Sequence, residues 1–154
     1  MTMKLAIAIC LAATSAQADI VPDRISILAG SKHFGSHGYD FNEVNPGLAL
    51  TWDFDRTDLT AGAYRNSFNE MSYTLTVGYD LIKTDALEVG PFIGLATYKG
   101  YTDWFPVSWG DVVPVGGVQA VWYPGGPVGM SARLMPGGAK KLPLIAAFGL
   151  EMKF

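Results

Sequence analysis

The 154-residue chain contains one cysteine, and that cysteine lies near the start of the sequence. Cys10 belongs to the apolar run LAIAICLAA, which follows Lys4 and precedes AQA at 16–18. A positive residue, an apolar run and small residues before a cleavage site form the pattern of a secretory signal peptide. We therefore predict a signal peptide over 1–18, cleaved after Ala18, and an exported chain that holds no thiol and no disulfide.

Long apolar runs, positive charge and histidine are also scarce. Although 49% of the residues are hydrophobic, no run of about 20 apolar residues occurs, which excludes a membrane-spanning helix. The formal net charge is −3 and no basic cluster is present, which argues against nucleic acid as a partner. The two histidines, His33 and His37, do not have the spacing of a zinc site, so we expect no metal and no cofactor.

Strict alternation of apolar and polar residues is what the sequence has in abundance. In residues 71–81, Tyr73, Leu75, Val77 and Tyr79 share one face of a strand. Runs of similar character, none of them helical in period, are 25–34, 47–54, 57–66, 71–81, 86–98, 112–123, 128–134 and 143–154. Eight strands of this length in one exported domain, 19–154, favour a closed barrel or a sandwich.

The last strand and the connections favour a barrel in a membrane over a soluble one such as a lipocalin. The final strand alternates strictly and ends on Phe154, short connections alternate with longer ones, and aromatic residues lie near strand ends. Seven glycines fall on the faces opposite the apolar ones, which suits an inward face: Gly30, Gly62, Gly78, Gly90, Gly94, Gly129 and Gly149. We predict an all-β, eight-stranded antiparallel up-and-down transmembrane β-barrel, monomeric, in a bacterial outer membrane.

Four of these glycines suggest a use for the lumen. Small barrels fill their interior with side chains, whereas Gly62, Gly78, Gly90 and Gly94 would leave a slot for one extended acyl chain. The alternative is that the glycines relieve the curvature of a tight barrel. The sequence leaves both interpretations open.

Three prolines suggest weak places in the barrel wall. Pro46 opens the second strand, Pro114 interrupts the sixth and Pro127 starts the seventh, and each lacks an N–H for the ladder. A lipid tail could pass sideways into the lumen at such a place. For Pro46 and Pro127, ordinary strand-start and turn prolines are the alternative.

The candidate chemistry lies at the outer rim, because the first and third strands both run outward. This direction brings His33 and Ser67 to the same rim, where a histidine hydrogen-bonded to a serine could activate its hydroxyl for acyl transfer. Asn66, Asp40 and Glu43 are candidates to orient the imidazole. Solvated loop residues are the alternative. Since RNSFNE does not resemble a favoured two-residue turn, we predict that the hairpin presents Ser67.

The order of these motifs resembles the lipid A palmitoyltransferase family of outer-membrane barrels. The resemblance runs from about His33 to Phe154 through SKHF, the triplet Phe41-Asn42-Glu43, NPGLALTW, AYRNSFNE, VVPVGG, GGPVGM, MPGG and the final MKF. It implies transfer of a palmitoyl chain from a phospholipid to lipid A, with His33 and Ser67 as catalytic residues. It also implies an acyl chain in the lumen that enters through proline-weakened gaps.

The sequence departs from the family pattern at several positions. Asn66 stands where the family has aspartate, and Leu28 stands where it has a proline. The first outer loop is shorter, and no amphipathic helix precedes the first strand. We therefore expect an outer-membrane acyltransferase with phospholipid and lipid A as partners; the alternative is a non-catalytic barrel that binds lipid or a surface partner.

Overall fold

The computed structural model of the protein describes residues 21–35, 38–137 and 143–154. The predicted signal peptide and His37 lie outside these ranges. The described ranges contain eight long strands, one two-residue strand and a single 3-10 turn at Thr102–Trp104. The strands are β1 Arg24–Phe34, β2 Val44–Phe54, β3 Thr57–Arg65, β4 Met71–Tyr79, β5 Ile82–Lys83, β6 Leu87–Thr97, β7 Val112–Trp122, β8 Val128–Met135 and β9 Leu144–Lys153.

The strands close into a barrel. Each long strand pairs antiparallel with its neighbours in sequence, and β1 pairs with β9 from Arg24–Lys153 to Phe34–Leu144. β4 pairs with β6, so the short β5 is only an extra strand at the edge of β6. The predicted eight-stranded antiparallel up-and-down β-barrel is therefore confirmed. We call the end with the connections after β1, β3, β6 and β8 the loop end, and the opposite end the terminus end.

Apolar side chains form an outward belt around the barrel. Along β4, the outward residues from Met71 to Tyr79 are 45–62% exposed, while Ser72, Thr76 and Gly78 between them are buried. Tyr79 and Trp122 flank the belt towards the terminus end and are about half exposed. In the described ranges, no helix is long and apolar enough to cross a membrane.

An irregularity in β1 changes which side chains face the lumen. The register with both neighbouring strands shifts between Leu28 and Gly30, as in a β-bulge. Gly30 consequently pairs with the outward-facing Phe148, although alternation places it on the inward face. The same shift turns His33 inward, where it is buried. Sequence alternation alone misassigns this part of the strand.

Charged side chains fill the lumen at the terminus end. Arg24 donates hydrogen bonds to Glu88 at 2.9 Å, to Glu151 at 2.7 Å and to Asp53 at 2.5 Å. Lys153 adds a second ion pair to Glu88 at 2.7 Å. The network pairs these buried charges with one another and fills much of the lumen at the terminus end.

Candidate functional site

His33 lies near the loop end of β1 with a ring that makes no hydrogen bond. The side chain is 8% exposed, and neither ring nitrogen has a partner among the described residues. Its ring stacks on Phe41 with centroids 4.4 Å apart and an interplanar angle of 11°. Stacking covers the face of the ring and not its edge, so both buried nitrogens keep an unused hydrogen-bonding position.

Asn66 and Asn69 build the β3–β4 hairpin. The Asn66 side-chain oxygen accepts from the backbone N–H of Phe68 at 2.9 Å and of Glu70 at 3.1 Å. Its amide donates to Ser72 Oγ at 2.9 Å, and Asn69 takes a left-handed backbone with φ 66°. This bonding is the usual way in which asparagine stabilises a turn. The expectation that RNSFNE is poorly suited to turning is therefore wrong.

Ser67 sits between Asn66 and Phe68 and borders the lumen cavity. Its backbone carbonyl accepts from Asn42 N at 2.9 Å, which ties the hairpin to the first loop. No hydrogen bond joins Ser67 to the His33 ring in the described structure, because both ring nitrogens are unpartnered. The segment 41–43 instead connects the two, since Phe41 stacks on His33 and Asn42 binds Ser67.

Glu43 anchors the same segment to β1. Its carboxylate accepts from Lys32 Nζ at 3.0 Å and, weakly, from the His33 backbone N–H at 3.4 Å. The hydrogen bond from Lys32 lowers the pKa of the Glu43 carboxyl below its usual value. Glu43 thus holds the backbone of His33 and not its imidazole, which differs from the orienting role considered from sequence. Asp40 borders a polar groove that opens beside His33.

A polar groove of about 610 Å³ opens beside His33 at the loop end. It is bordered by side chains of both charges and by amides: Lys32, His33, Asp40, Asn42, Glu43 and Asn69. Such a concave polar surface can bind a charged or hydroxylated headgroup through several hydrogen bonds.

Aromatic rings from three connections cover the lumen at the loop end. Phe68 is buried at the centre, stacked on Tyr101 with centroids 4.1 Å apart and in edge contact with Phe41 at 5.6 Å and Trp104 at 5.4 Å. Tyr39 joins the same group through Phe41 and Trp104. We call Tyr39, Phe41, Phe68, Tyr98, Tyr101 and Trp104 the aromatic cap.

The four glycines predicted to line an acyl slot all lie against neighbouring atoms. A Cβ added at Gly90 would collide with the Tyr79 carbonyl, and one at Gly94 with the Leu75 carbonyl. At Gly78 it would meet the Asp58 carboxylate, and at Gly62 it would lie 3.0 Å from Ala49 Cβ. Because none of the four borders open space, their geometry favours the curvature interpretation over the slot.

The open part of the lumen is a small cavity beneath the aromatic cap, with a volume of about 110 Å³. Its apolar walls include Leu28, Ala49, Phe92, Val115 and Ile145. Sites for drug-sized ligands are typically about 300–1,000 Å³. A long acyl chain therefore does not fit this conformation of the lumen.

The three prolines lie in different settings. Pro46 has no ladder partner and faces the irregularity in β1. Pro114 pairs with Leu95 of β6, whereas the described pairing of β7 with β8 starts only at Val118. Pro127 lies in the turn before β8 at the terminus end, where its carbonyl accepts from Lys153 N at 2.9 Å. The turn alternative therefore suits Pro127, and among the described residues it is Pro46 that marks a thin part of the wall.

Sequence reasoning missed Arg133 and the aromatic cap. Arg133 lies on the inward face of β8 and borders the cavity, and the alternation of MSARL would have placed it in the lumen. The cap joins residues from separate connections, and only the fold reveals that they meet. Within the described ranges, no group of histidine, cysteine, aspartate or glutamate could hold a metal ion.

Comparison with known proteins supports the fold. No protein-family profile matches the sequence, and no curated protein matches it. A solved structure described as "De novo design of transmembrane beta-barrels" superposes with a TM-score of 0.56 over 86% of this chain and 97% of that one. The two sequences are 12% identical, so the likeness concerns the fold alone. The protein thus has a transmembrane-type β-barrel fold.

Proposed function

We propose that the protein is an outer-membrane acyltransferase that moves a fatty acyl chain from a phospholipid to lipid A. One observation carries the proposal: a buried histidine with both ring nitrogens unpartnered and a serine that borders an apolar cavity are held by one segment, 41–43. The resemblance of SKHF and AYRNSFNE to the palmitoyltransferase family gives these two residues their roles.

The proposed reaction proceeds through an acyl-serine. The Ser67 oxygen attacks the ester carbonyl of the phospholipid while His33 takes the hydroxyl proton. The lysophospholipid leaves with that proton. A lipid A hydroxyl then attacks the acyl-serine, again through His33 as base, and Ser67 regains its proton. The first step needs a hydrogen bond from the Ser67 hydroxyl to His33. Catalytic hydrogen bonds are often long or poorly aligned before the substrate binds.

Asn66 has a positioning role in this proposal. Its side chain is fully buried and bonded to Phe68, Glu70 and Ser72, so it fixes the turn on which Ser67 stands. The polar groove beside His33 suits a headgroup. The thin wall at Pro46, which has no ladder partner, would admit an acyl chain from the side.

A second function, a non-catalytic barrel that binds lipid or a surface partner, is favoured by the size of the lumen. The cavity of about 110 Å³ is small for an acyl chain, and His33 and Ser67 share no hydrogen bond. The two functions differ in whether any covalent product forms.

Mass spectrometry of lipids from bacteria that express the protein tests the proposal. Acyl transfer predicts lipid A with one additional acyl chain and an equal rise in lysophospholipid. Ser67→Ala and His33→Ala should abolish both products, while Ser108→Ala, which changes an exposed loop serine, should retain them. Unchanged lipids in cells with folded wild-type barrel would favour the non-catalytic function.

A further inference from the structure

An arginine without a bonded partner lies inside the barrel. Arg133 of β8 is in register with Gln119 and Ala147 on the inward face. Its guanidinium carbon lies 4.9 Å from the centre of the Phe92 ring, and the side chain borders the cavity. Among the described residues, this guanidinium makes no hydrogen bond and no ion pair, and its one contact of this kind is with the Phe92 ring. Its N–H donors are therefore available to whatever fills the cavity.

A second donor borders the same cavity. Thr76 of β4 is 2% exposed, and its hydroxyl has no hydrogen-bond partner in the described structure. A buried hydroxyl without a partner destabilises the protein, and a bound acceptor would remove that cost. Two unsatisfied donors on different strands thus face one cavity whose walls are otherwise mainly apolar.

The surrounding charges indicate a neutral ligand and not a carboxylate. The carboxylates nearest Arg133 are engaged elsewhere: Asp58 accepts from Gln119 at 2.7 Å, and Glu151 accepts from Arg24 at 2.7 Å. In the described lumen, five carboxylates face four cations: the carboxylates are Asp53, Asp58, Asp80, Glu88 and Glu151, and the cations are Arg24, Lys83, Arg133 and Lys153. An anion would add to this excess, whereas a carbonyl, hydroxyl or ether oxygen would accept from Arg133 without adding charge.

The volume bounds the ligand. An apolar cavity of about 150 Å³ holds one benzene molecule, and this cavity is about 110 Å³. Since this volume is smaller, a molecule somewhat smaller than benzene, such as a four-membered ring, fills the cavity.

We infer that the lumen cavity is a binding site for a small uncharged molecule with a hydrogen-bond acceptor oxygen on an apolar body, held by Arg133 and Thr76. A plain hydrocarbon of the same shape binds less well, because it buries both donors against carbon. The inference does not depend on acyl transfer, since binding requires neither His33 nor Ser67.

The test compares cyclobutanone with methylenecyclobutane, which replaces the carbonyl oxygen by a CH₂ group in nearly the same shape. Each probe is titrated into the detergent-solubilised full barrel, and NMR follows the Arg133 side-chain N–H and the Met135 methyl group. Free probe concentrations are corrected for partition into detergent. Cyclobutanone should give saturable shifts of both signals and bind about tenfold more tightly than methylenecyclobutane.

Two variants and one control complete the test. Arg133→Met should abolish the preference for cyclobutanone, whereas Arg65→Met, the same change at an exposed arginine, should keep it. Thr76→Val should reduce the preference about threefold. This variant replaces Arg133→Met in the test if Arg133→Met does not fold. Saturation by neither probe would mean that the cavity holds water only. That result, equal affinity for both probes, or a preference that survives both lumen variants would overturn the inference.

Discussion

Asn66 has the most clearly defined structural role among the three residues proposed for catalysis. Both ends of its amide are used, one by two backbone N–H groups and the other by Ser72. The Ser72 hydroxyl in turn bonds the Thr97 carbonyl, so the hairpin is tied to the end of β6. An aspartate at this position would keep the acceptor but lose the donor and introduce a buried charge.

We therefore predict that Asn66→Asp lowers the free energy of unfolding by about 1–3 kcal/mol, because the Ser72 contact is lost in a site without solvent. Urea unfolding followed by tryptophan fluorescence measures the change. Asn69→Asp is the control, since Asn69 is exposed and aspartate tolerates its left-handed backbone. Equal stability of wild type and Asn66→Asp would contradict the role of the amide.

For single residues, the sequence predicted which side chains belong to the candidate site but not which atoms they contact. As predicted, β1 and β3 run in the same direction and bring His33 and Ser67 to the same end of the barrel. The partners of Asn66 depend on the shape of the hairpin, and the burial of His33 depends on the bulge near Gly30. Neither follows from alternation, because a bulge changes the face without changing the composition.

The aromatic cap links elements that are otherwise separate. Its rings come from the connection after β1, the β3–β4 hairpin and the connection after β6, and Phe68 contacts rings from the other two. Such a cluster restrains the loops over the cavity and covers the Ser67 region. The sequence shows aromatic residues in these connections but does not show that they pack together.

Phe68→Ala should release the connections from one another, because the substitution removes the central ring of the cap. We expect cleavage by chymotrypsin after Tyr101 or Trp104 to become at least about tenfold faster, since loops without packing open more often. Phe34→Ala, at an exposed position of β1, is the matched control and should leave the rate unchanged. Equal cleavage of Phe68→Ala and wild type would show that the cap does not restrain the loops.

The network around Arg24 connects strands from across the barrel. Removing the guanidinium would leave Asp53, Glu88 and Glu151 close together without their shared cation. We expect Arg24→Met to lower the free energy of unfolding by about 3–5 kcal/mol, as for other buried ion pairs that lose one partner. Chemical unfolding of the wild type and of Arg24→Met in detergent measures this difference in free energy.

Lys32→Met provides the comparison, because it breaks only an exposed ion pair with Glu43. Its unfolding midpoint should match that of the wild type. A similar midpoint for Arg24→Met would mean that the network does not stabilise the terminus end.

For the whole molecule, the sequence predicted the fold well because one physical rule applies along every strand. A barrel with an apolar outside requires alternation throughout, and the strand bounds of the structure agree with the alternating runs to within about three residues. The filling of the lumen was harder to predict. Which glycines touch a neighbouring backbone, and how much space remains, depends on the curvature of the closed sheet.

The outward belt makes a prediction about the surroundings of the barrel. Ile93 lies near the middle of β6 and is 70% exposed. If lipid covers it, Ile93→Arg should cost about 2–4 kcal/mol of folding free energy in bilayers. Val107→Arg, at an exposed loop position, should cost little. Equal folding free energies for the two variants would argue against a membrane around the belt.

Acyl transfer at the loop end is tested most directly with the purified barrel in vesicles that contain lipid A and a phospholipid with an isotope-labelled acyl chain. We predict that the labelled chain appears on lipid A by mass spectrometry, with one lysophospholipid formed for each chain transferred. Ser67→Ala should abolish transfer and Ser108→Ala should not. No transfer by a correctly folded wild-type barrel, or undiminished transfer by Ser67→Ala, would contradict the proposed function.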